Sequence, residues 1–273
     1  MESETLRVAA VQLQSQDDLG QNLAACAELV AAAGRAGARL VLLPENFAYF
    51  GGEETKRTLA EPLGATDAPI QRVLAEMARA AGVFLVAGGF PEASEDRARP
   101  FNTALVYGPD GVLVGSYRKI HLFDAALQDG TSLSESTATS AGSTLSTFDI
   151  GRFRIGLSIC YDLRFPELYR ELVSRGANVL LVPAAFTLQT GKDHWHPLLR
   201  ARAIESQAYV IAAAQWGKHP RGRTTYGHSL VVDPWGAVVA EASDRVGIVV
   251  ADLDLGYVEQ VRAAVPCLSN RRL

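Results

Sequence analysis

Cysteine is scarce in this chain of 273 residues, and its three cysteines are widely separated. Cys26, Cys160 and Cys267 form no Cys-x-x-Cys pair, and their odd number argues against a framework of disulfide bonds. A chain of this length buries roughly 70–75 % of its unfolded surface, so it can build a stable core without them. We therefore expect a protein of a reducing compartment and predict a cytoplasmic location.

Long hydrophobic runs and a strong charge imbalance are also missing. The apolar runs are short and interrupted, so no segment predicts a membrane span. The first residues, MESETLRVAAVQL, are acidic and polar where a secretory signal would be basic and then apolar. The formal net charge of −4 argues against nucleic acids and anionic membranes as general partners.

Several catalytic and cofactor signatures are absent. Neither GLSIC nor YGHSL fits the Gly-x-Ser-x-Gly turn of many serine hydrolases, and VAGGF is not a dinucleotide-binding loop. His194 and His196 in HWH lie two residues apart on a predicted helix, so they face different directions. No acidic or cysteine ligand follows at metal-site spacing. We therefore predict neither a metal nor a cofactor.

Short apolar segments alternate with amphipathic helical segments along the chain, which favours an α/β fold. Strands that are apolar on both faces need cover on both sides. We therefore predict two stacked sheets between helices, a four-layer α-β-β-α sandwich, and no linker divides residues 1–273 into separate domains. The predicted strands are 6–13, 39–45, 83–90, 178–183, 209–215 and 247–255, the hairpins 103–119, 146–160 and 229–242, and the helices 21–37, 70–82, 166–177 and 194–208.

Three reactive side chains follow predicted strands: Glu45 in LLPENF, Lys119 in SYRKIHLFD and Cys160 in SICYDLRFPELYR. Because ligand sites gather at the carboxyl ends of parallel strands, we expect the three to meet in one pocket. A carboxylate can take the proton of a thiol, and an ammonium can stabilise an oxyanion. The predicted helix after Cys160 favours its thiolate. Together, Glu45, Lys119 and Cys160 predict a site for acyl transfer that needs no histidine. Cys26 and Cys267 are interpreted as cysteines without a catalytic role.

The same three segments, LLPENF, YRKIHLFD and SICYDLRFPELYR, resemble the catalytic segments of the nitrilase superfamily, the carbon–nitrogen hydrolases. The resemblance runs from VAAVQL to VPCLSNRR and implies the four-layer fold and a homodimer. By motif, Glu45 matches the general base, Lys119 the lysine that stabilises the tetrahedral intermediate, and Cys160 the nucleophile. Glu135 matches a further glutamate that orients the site. It lies in the polar segment 130–144, which we expect to be a surface loop, so a solvated charge is the alternative.

Other segments narrow the resemblance to one branch. HWHPLLRARAIESQAYVIAAAQWGKH, YGHSLVVDPWG and PENFAYFG look like the deaminated-glutathione amidases, while the ω-amidase branch is similar around the nucleophile. Tyr161 stands where true nitrilases usually carry tryptophan, which argues against nitrile hydrolysis. The implied substrate is a small amide with a remote carboxylate, such as the α-keto form of glutathione, which would yield 2-oxoglutarate and cysteinylglycine.

Four residues are candidates for binding this substrate. The backbone N–H of Tyr161 is a candidate oxyanion donor, and Tyr49 and Thr187 are candidate pocket walls. Arg164 could bind the carboxylate or pair structurally with an acidic neighbour, Asp162 or Glu167. Three other functions stay open: an ω-amidase of keto-acid amides, an amidohydrolase of N-carbamoyl amino acids, and a metabolite-binding or scaffolding protein without turnover.

Overall fold

Two six-stranded sheets form the centre of the fold in a computed structural model that describes residues 4–126 and 132–272. The strands in chain order are β1 (Thr5–Gln12), β2 (Leu40–Leu43), β3 (Phe84–Glu92), β4 (Phe101–Tyr107), β5 (Leu113–Arg118), β6 (Asp124–Ala126), β7 (Ser132–Ser134), β8 (Thr147–Ile150), β9 (Phe153–Leu157), β10 (Val179–Ala184), β11 (Tyr209–Ala214), β12 (Trp216–Lys218), β13 (Thr224–Tyr226), β14 (Leu230–Val232), β15 (Val238–Glu241) and β16 (Gly247–Asp254).

The first sheet has the order β16-β1-β2-β3-β4-β5 and the second the order β15-β14-β11-β10-β9-β8. In each sheet three central strands run parallel, β1 to β3 and β9 to β11, and antiparallel strands complete the edges. Parallel neighbours need a crossover connection, and the helices between them supply it. Two short hairpins, β6–β7 and β12–β13, lie outside the sheets.

The helices are α1 (Leu19–Arg35), α2 (Glu53–Thr58), α3 (Pro69–Ala81), α4 (Pro166–Ser174), α5 (Leu188–Ser206) and α6 (Leu255–Ala264). Local signals explain their ends. Asp18 caps α1 by accepting a hydrogen bond from the N–H of Gln21 at 2.9 Å. Pro69 opens α3, and Gly82 ends it in the left-handed conformation. No helix within the described ranges is long and apolar enough to cross a bilayer.

Buried apolar side chains fall into two clusters that define the layers. One cluster lies between the first sheet and the helices α1 and α3. The other fills the space between the two sheets and extends to α4 and α5, whose buried residues include Leu172 and Trp195. The layers are therefore α-β-β-α, and the predicted four-layer sandwich is confirmed.

The two sheets approach each other closely at a glycine. A Cβ atom on Gly88 of β3 would lie 2.1 Å from the Cβ atom of Pro183 in β10. Any side chain at this position would push the sheets apart, so glycine is required by packing.

The predicted elements differ from the observed ones mainly at their boundaries. The helix predicted for 194–208 begins six residues earlier, at Leu188, where the Thr187 hydroxyl accepts a hydrogen bond from the N–H of Thr190 at 3.4 Å. Helices α2 and α6 and both short hairpins were not predicted. Their short lengths give little periodicity in the sequence.

Candidate active site

Glu45 lies just past the end of β2, and its side chain is only 5 % exposed. Its Oε1 atom accepts hydrogen bonds from Nζ of Lys119 at 3.0 Å and from Nδ2 of Asn102 at 2.9 Å. Its Oε2 atom accepts one from the backbone N–H of Ala185 at 3.1 Å. Three donors from three segments therefore hold this carboxylate in one orientation.

Glycine makes room for this carboxylate. Gly89 has φ +76° and lies where the pairing of β3 with β4 shifts register. A Cβ atom on Gly89 would lie 2.6 Å from Oδ1 of Asn102 and 3.0 Å from Cγ of Glu45. The left-handed backbone and the crowding both exclude a larger residue.

Lys119 follows β5, and its side chain is 2 % exposed. Its ammonium donates to Glu45 at 3.0 Å and to Oε2 of Glu135 at 2.8 Å. Burial alone would lower the pKa of Lys119, but the carboxylates of Glu135 and Glu45 outweigh it and hold the pKa well above its usual value. Lys119 is therefore a fixed positive charge.

Glu135 is mostly buried, with 16 % of its side chain exposed. Besides Lys119, the backbone N–H of Phe123 donates to its Oε2 atom at 2.7 Å. Burial would raise the pKa of Glu135, but the ammonium of Lys119 more than offsets this and lowers it. The carboxylate is therefore ionised and faces Lys119, so the alternative of a solvated surface charge is wrong.

The prediction of a surface loop at 130–144 is wrong for part of this segment. Residues 130 and 131 lie outside the described ranges, but Ser132–Ser134 form β7 and Glu135–Thr137 form a 3₁₀ turn. Ala138 and Thr139 are buried. The segment is rich in small polar residues, which is typical of surface loops, so nothing in the sequence indicated that it forms a wall of the site.

Cys160 lies at the start of a 3₁₀ turn, Cys160–Arg164, three residues after the end of β9. It adopts φ +48°, a conformation that is rare for residues other than glycine and that costs free energy. The residue is 6 % exposed.

The prediction that a helix N-terminus favours the thiolate of Cys160 is wrong. Burial, followed by the negative charge of Glu45, raises the pKa of the Cys160 thiol well above its usual value, and Lys119 opposes this only in part. The regular helix α4 begins only at Pro166. The resting sulfur therefore carries its proton next to a carboxylate that can take it.

Asp162 links the Cys160 turn to the segment around Lys119. Its Oδ2 atom accepts hydrogen bonds from the Tyr117 hydroxyl at 2.7 Å and from the backbone N–H of Ile159 at 2.8 Å. Its Oδ1 atom accepts one from the backbone N–H of His121 at 3.0 Å. This fully buried carboxylate fixes the nucleophile turn relative to the lysine.

A cavity of about 1070 Å³ contains these groups. Glu45, Asn102, Lys119, Glu135 and Cys160 all contribute to its lining. Tyr49 and Thr187 also line it, as the sequence predicted for both. Four further cationic side chains line the same cavity: Lys56, Lys192, Arg221 and Arg223.

Tyr161 and Arg164 are not among the residues that line this cavity. The Arg164 guanidinium lies 5.2 Å from the ring centroid of Phe186 and donates to Nδ1 of His194 at 3.3 Å. Arg164 as the carboxylate-binding residue is therefore wrong for this cavity. Its contacts are with Phe186 and His194, so the predicted structural pairing with Asp162 or Glu167 is wrong as well.

The ring of Tyr161 packs in an aromatic group beside the cavity. Its centroid lies 4.8 Å from that of Phe123 and 5.4 Å from that of Phe165. The Phe165 ring in turn stacks on His121 at 3.7 Å. The side chain of Tyr161 therefore supports the walls of the site, which leaves only its backbone as a candidate substrate contact.

Sequence reasoning missed Asn102 and the four cations of the cavity. Asn102 lies in FNTALVY, which has the pattern of an ordinary strand, and its Nδ2 atom bridges Glu45 at 2.9 Å and Glu135 at 3.2 Å. The cations come from three separate segments. No local motif joins them, and only a polar residue inside an apolar strand could have singled out Asn102.

Comparisons with known proteins show which proteins this chain is similar to. The deaminated glutathione amidase of Synechocystis sp. is 44 % identical over 266 residues, which cover 96 % of this chain and 97 % of that protein. The crystal structure of the C. elegans NitFhit protein has a TM-score of 0.92 and 43 % identity over all of this chain, which spans 66 % of that chain.

A third similar protein carries information on its cysteine. An amidase from Nesterenkonia sp., 28 % identical with a TM-score of 0.79, covers 96 % of this chain and 98 % of its own. Its mutant structure shows the Michael addition of acrylamide at the active-site cysteine. The model of the carbon–nitrogen hydrolase family matches residues 7–263. With a cysteine, a lysine and two glutamates gathered in one cavity of this fold, the chain belongs to the carbon–nitrogen hydrolase family.

Proposed function

We propose that this enzyme hydrolyses an amide bond through a thioester on Cys160, with Glu45 and Lys119 completing the catalytic triad. The observation that carries the proposal is the contact of the Lys119 ammonium with Glu45, at 3.0 Å, in the cavity that Cys160 also lines. Acyl transfer needs a nucleophile, a base and a stabiliser of negative charge, and this cavity contains one group suited to each role.

The first half of the reaction forms the thioester. Glu45 takes the proton of the Cys160 thiol as the sulfur attacks the amide carbonyl carbon. The raised pKa of Cys160 supports a proton transfer that accompanies the attack. The carbonyl oxygen becomes an oxyanion, which the Lys119 ammonium and the backbone N–H of Tyr161 stabilise. Glu45 then gives its proton to the leaving nitrogen, and the C–N bond breaks.

The second half releases the acid. Glu45 deprotonates a water molecule, which attacks the thioester carbon and forms a second oxyanion at the same position. The C–S bond breaks, and the proton held by Glu45 returns to the sulfur. Glu135 positions Lys119 throughout, since its carboxylate lies 2.8 Å from the ammonium.

We infer that the substrate is an amide with carboxylate groups remote from the scissile bond. Lys56, Lys192, Arg221 and Arg223 give one cavity four positive charges besides Lys119. Deaminated glutathione carries two carboxylates, and the Synechocystis relative is named for its action on it. Its hydrolysis here would release 2-oxoglutarate and cysteinylglycine. Keto-acid ω-amides and N-carbamoyl amino acids are the rival substrates, which a panel assay of product formation separates.

We further propose that residues 1–273 form one catalytic domain, that two copies pair as a homodimer, and that the enzyme works in the cytoplasm. The family match over residues 7–263 supports the single domain. Cys26, Cys160 and Cys267 are all unpaired, which suits a reducing compartment. Light scattering coupled to size exclusion measures the dimer, since a monomeric mass would contradict it.

Substitution of the sulfur tests the mechanism. Cys160→Ala should abolish release of the acid while the protein stays folded, and Cys26→Ala, which removes a buried thiol elsewhere, should retain turnover. Intact mass spectrometry of a quenched reaction should show the acyl group on the wild-type enzyme but not on Cys160→Ala. Retention of most of the turnover by Cys160→Ala would exclude the proposed nucleophile. A folded wild type that turns over no amide of the panel would favour the binding or scaffolding alternative.

A further inference from the structure

His196, His228 and Glu241 form a cluster outside the catalytic cavity. The Nε2 atom of His196 lies 2.9 Å from Oε1 of Glu241, and the Nδ1 atom of His228 lies 2.6 Å from the same oxygen. The three ligand atoms all lie within 4.8 Å of one another. The local spacing of HWH gave no sign of this cluster, because the partners of His196 are 32 and 45 residues further along the chain.

The two histidines of HWH separate as their spacing predicted. His194 accepts a hydrogen bond from Arg164, whereas His196 faces the other cluster members. The cluster joins three elements: helix α5 carries His196, the segment between β13 and β14 carries His228, and Glu241 ends β15. A ligand set drawn from three elements can cross-link them.

His228 is held in place before any ligand arrives. Its backbone adopts φ +58°, and its carbonyl accepts a hydrogen bond from Nε1 of Trp195 at 2.8 Å. Its ring stacks on Tyr226 with centroids 4.4 Å apart. A strained backbone that is fixed from two sides is typical of a functional position.

A second carboxylate completes the arrangement around His228. The Nε2 atom of its ring, opposite the Nδ1 atom that faces Glu241, lies 3.4 Å from Oδ1 of Asp244. A metal-binding histidine usually donates its other N–H to a carboxylate, which fixes its tautomer. The side chains of His196, His228 and Glu241 are 29 %, 25 % and 34 % exposed, so an ion can reach them from solvent.

We propose that His196, His228 and Glu241 bind a divalent transition metal ion of the Zn²⁺ class, with Asp244 orienting His228 and water completing the coordination. Two imidazoles and one carboxylate are ordinary zinc ligands, with bonds of about 2.0–2.2 Å in a tetrahedral site. Ligand atoms in such a site are about 3.3 Å apart. The two nitrogens therefore need to move away from Glu241 by about half an ångström and, from within 4.8 Å, toward each other, which partly exposed side chains allow.

The bound ion would tie α5 to the strands that follow it. Lys192 on α5 and Thr225 on β13 line the catalytic cavity, so the ion would stabilise two of its walls without touching a reacting atom. The site is independent of the proposed amide hydrolysis, since none of its residues lines that cavity. Its test therefore uses binding and stability rather than turnover.

Zinc titration by isothermal calorimetry tests the site in tag-free protein. The Cys160→Ala, Cys267→Ser background removes the cavity thiol and the exposed thiol, which could bind zinc themselves. We expect one Zn²⁺ per chain in this background and a melting temperature that rises with zinc. His196→Gln should weaken binding by ~10-fold or more, since even the loss of an orienting residue costs that much. Co²⁺ should give the visible absorption of a tetrahedral site.

His194→Gln is the matched control, because it changes the other histidine of HWH and should leave affinity unchanged. His228→Asn removes a ligand with a residue that tolerates the left-handed backbone, so the variant should fold and bind zinc as weakly as His196→Gln. Zinc affinity unaltered in folded His196→Gln and His228→Asn would overturn the proposal, as would the absence of zinc binding in the background protein.

Discussion

The Nδ2 atom of Asn102 lies 2.9 Å from Oε1 of Glu45, inside strand β4, whose residues from Ala104 to Tyr107 are buried and apolar. The same nitrogen lies 3.2 Å from Glu135, while the Oδ1 atom of Asn102 is buried with no hydrogen-bond partner among the residues that the structure describes. A buried amide with an unsatisfied oxygen costs free energy that packing does not recover. We therefore expect Asn102 to position the two carboxylates.

Substitution of Asn102 should alter the pH dependence of turnover. Asn102→Ala should lower kcat by about 10-fold through the looser orientation of Glu45. Asn102→Asp should lower kcat further and displace the pH–rate profile, since it places a third carboxylate beside Glu45 and Glu135. Steady-state kinetics across pH measure both effects. Unchanged profiles in both folded variants would mean that Asn102 is structural only.

The ion pair of Glu135 and Lys119 should make stability depend on pH. The folded protein lowers the pKa of Glu135, so the stabilisation is present above the usual carboxyl range and is lost as the pH falls through the lowered pKa. Wild type should therefore exceed Glu135→Gln in free energy of unfolding at pH 7, and the gap should shrink toward acid pH. Urea unfolding of both proteins between pH 3 and pH 7 measures it, and a gap independent of pH would contradict the expectation.

Gly89 should be essential because of crowding rather than backbone conformation alone. Gly89→Ala puts a Cβ atom 2.6 Å from Asn102 and 3.0 Å from Glu45. We expect destabilisation by ~2–4 kcal/mol and a loss of most activity. Gly64→Ala is the control, since Gly64 has a similar φ of +80° and a Cβ atom there would meet no other atom within 4 Å in the described part of the chain. Equal effects of the two substitutions on activity would show that crowding is unimportant.

Asp162 should contribute strongly to stability. Asp162→Asn keeps the shape but replaces one acceptor oxygen with a donor that faces the N–H and O–H groups of Tyr117, Ile159 or His121. We expect a loss of ~2–4 kcal/mol in the free energy of unfolding. Asp149→Asn, in an exposed pair with Arg154, should cost less than ~1 kcal/mol. Denaturant titration of both variants measures the two losses in the free energy of unfolding. A loss for Asp162→Asn as small as that of Asp149→Asn would contradict the expectation.

The cationic side chains of the cavity should affect the affinity for the substrate and leave the rate of the chemical step unchanged. Lys192→Gln and Arg223→Gln should each raise KM for a dicarboxylate amide by ~10-fold with little change in kcat. A neutral amide of the same length is the control substrate, and its KM should stay constant. A rise in KM for both substrates alike would show that these residues do not recognise carboxylates.

Periodicity was enough to place most of the regular structure. The predicted helix 21–37 corresponds to α1, and the predicted strands correspond to β1, β2, β3, β10, β11 and β16. Each is long or strongly apolar, and glycine ends α3 as predicted at Gly82. Contacts between distant parts of the chain could not be predicted from periodicity. The raised pKa of Cys160 depends on burial by distant segments, and the cluster of His196 with Glu241 depends on how β15 packs against α5.

The origin of the catalytic groups has a consequence for fragments of this enzyme. Glu45 and Lys119 come from strand ends of one sheet, and Cys160 comes from the other. Neither sheet carries all three catalytic residues. Complementary fragments of the chain should therefore regain turnover only after they reassemble. Hydrolysis would then measure the packing of the two sheets against each other. Circular dichroism would not, because it measures secondary structure, which each half could form alone.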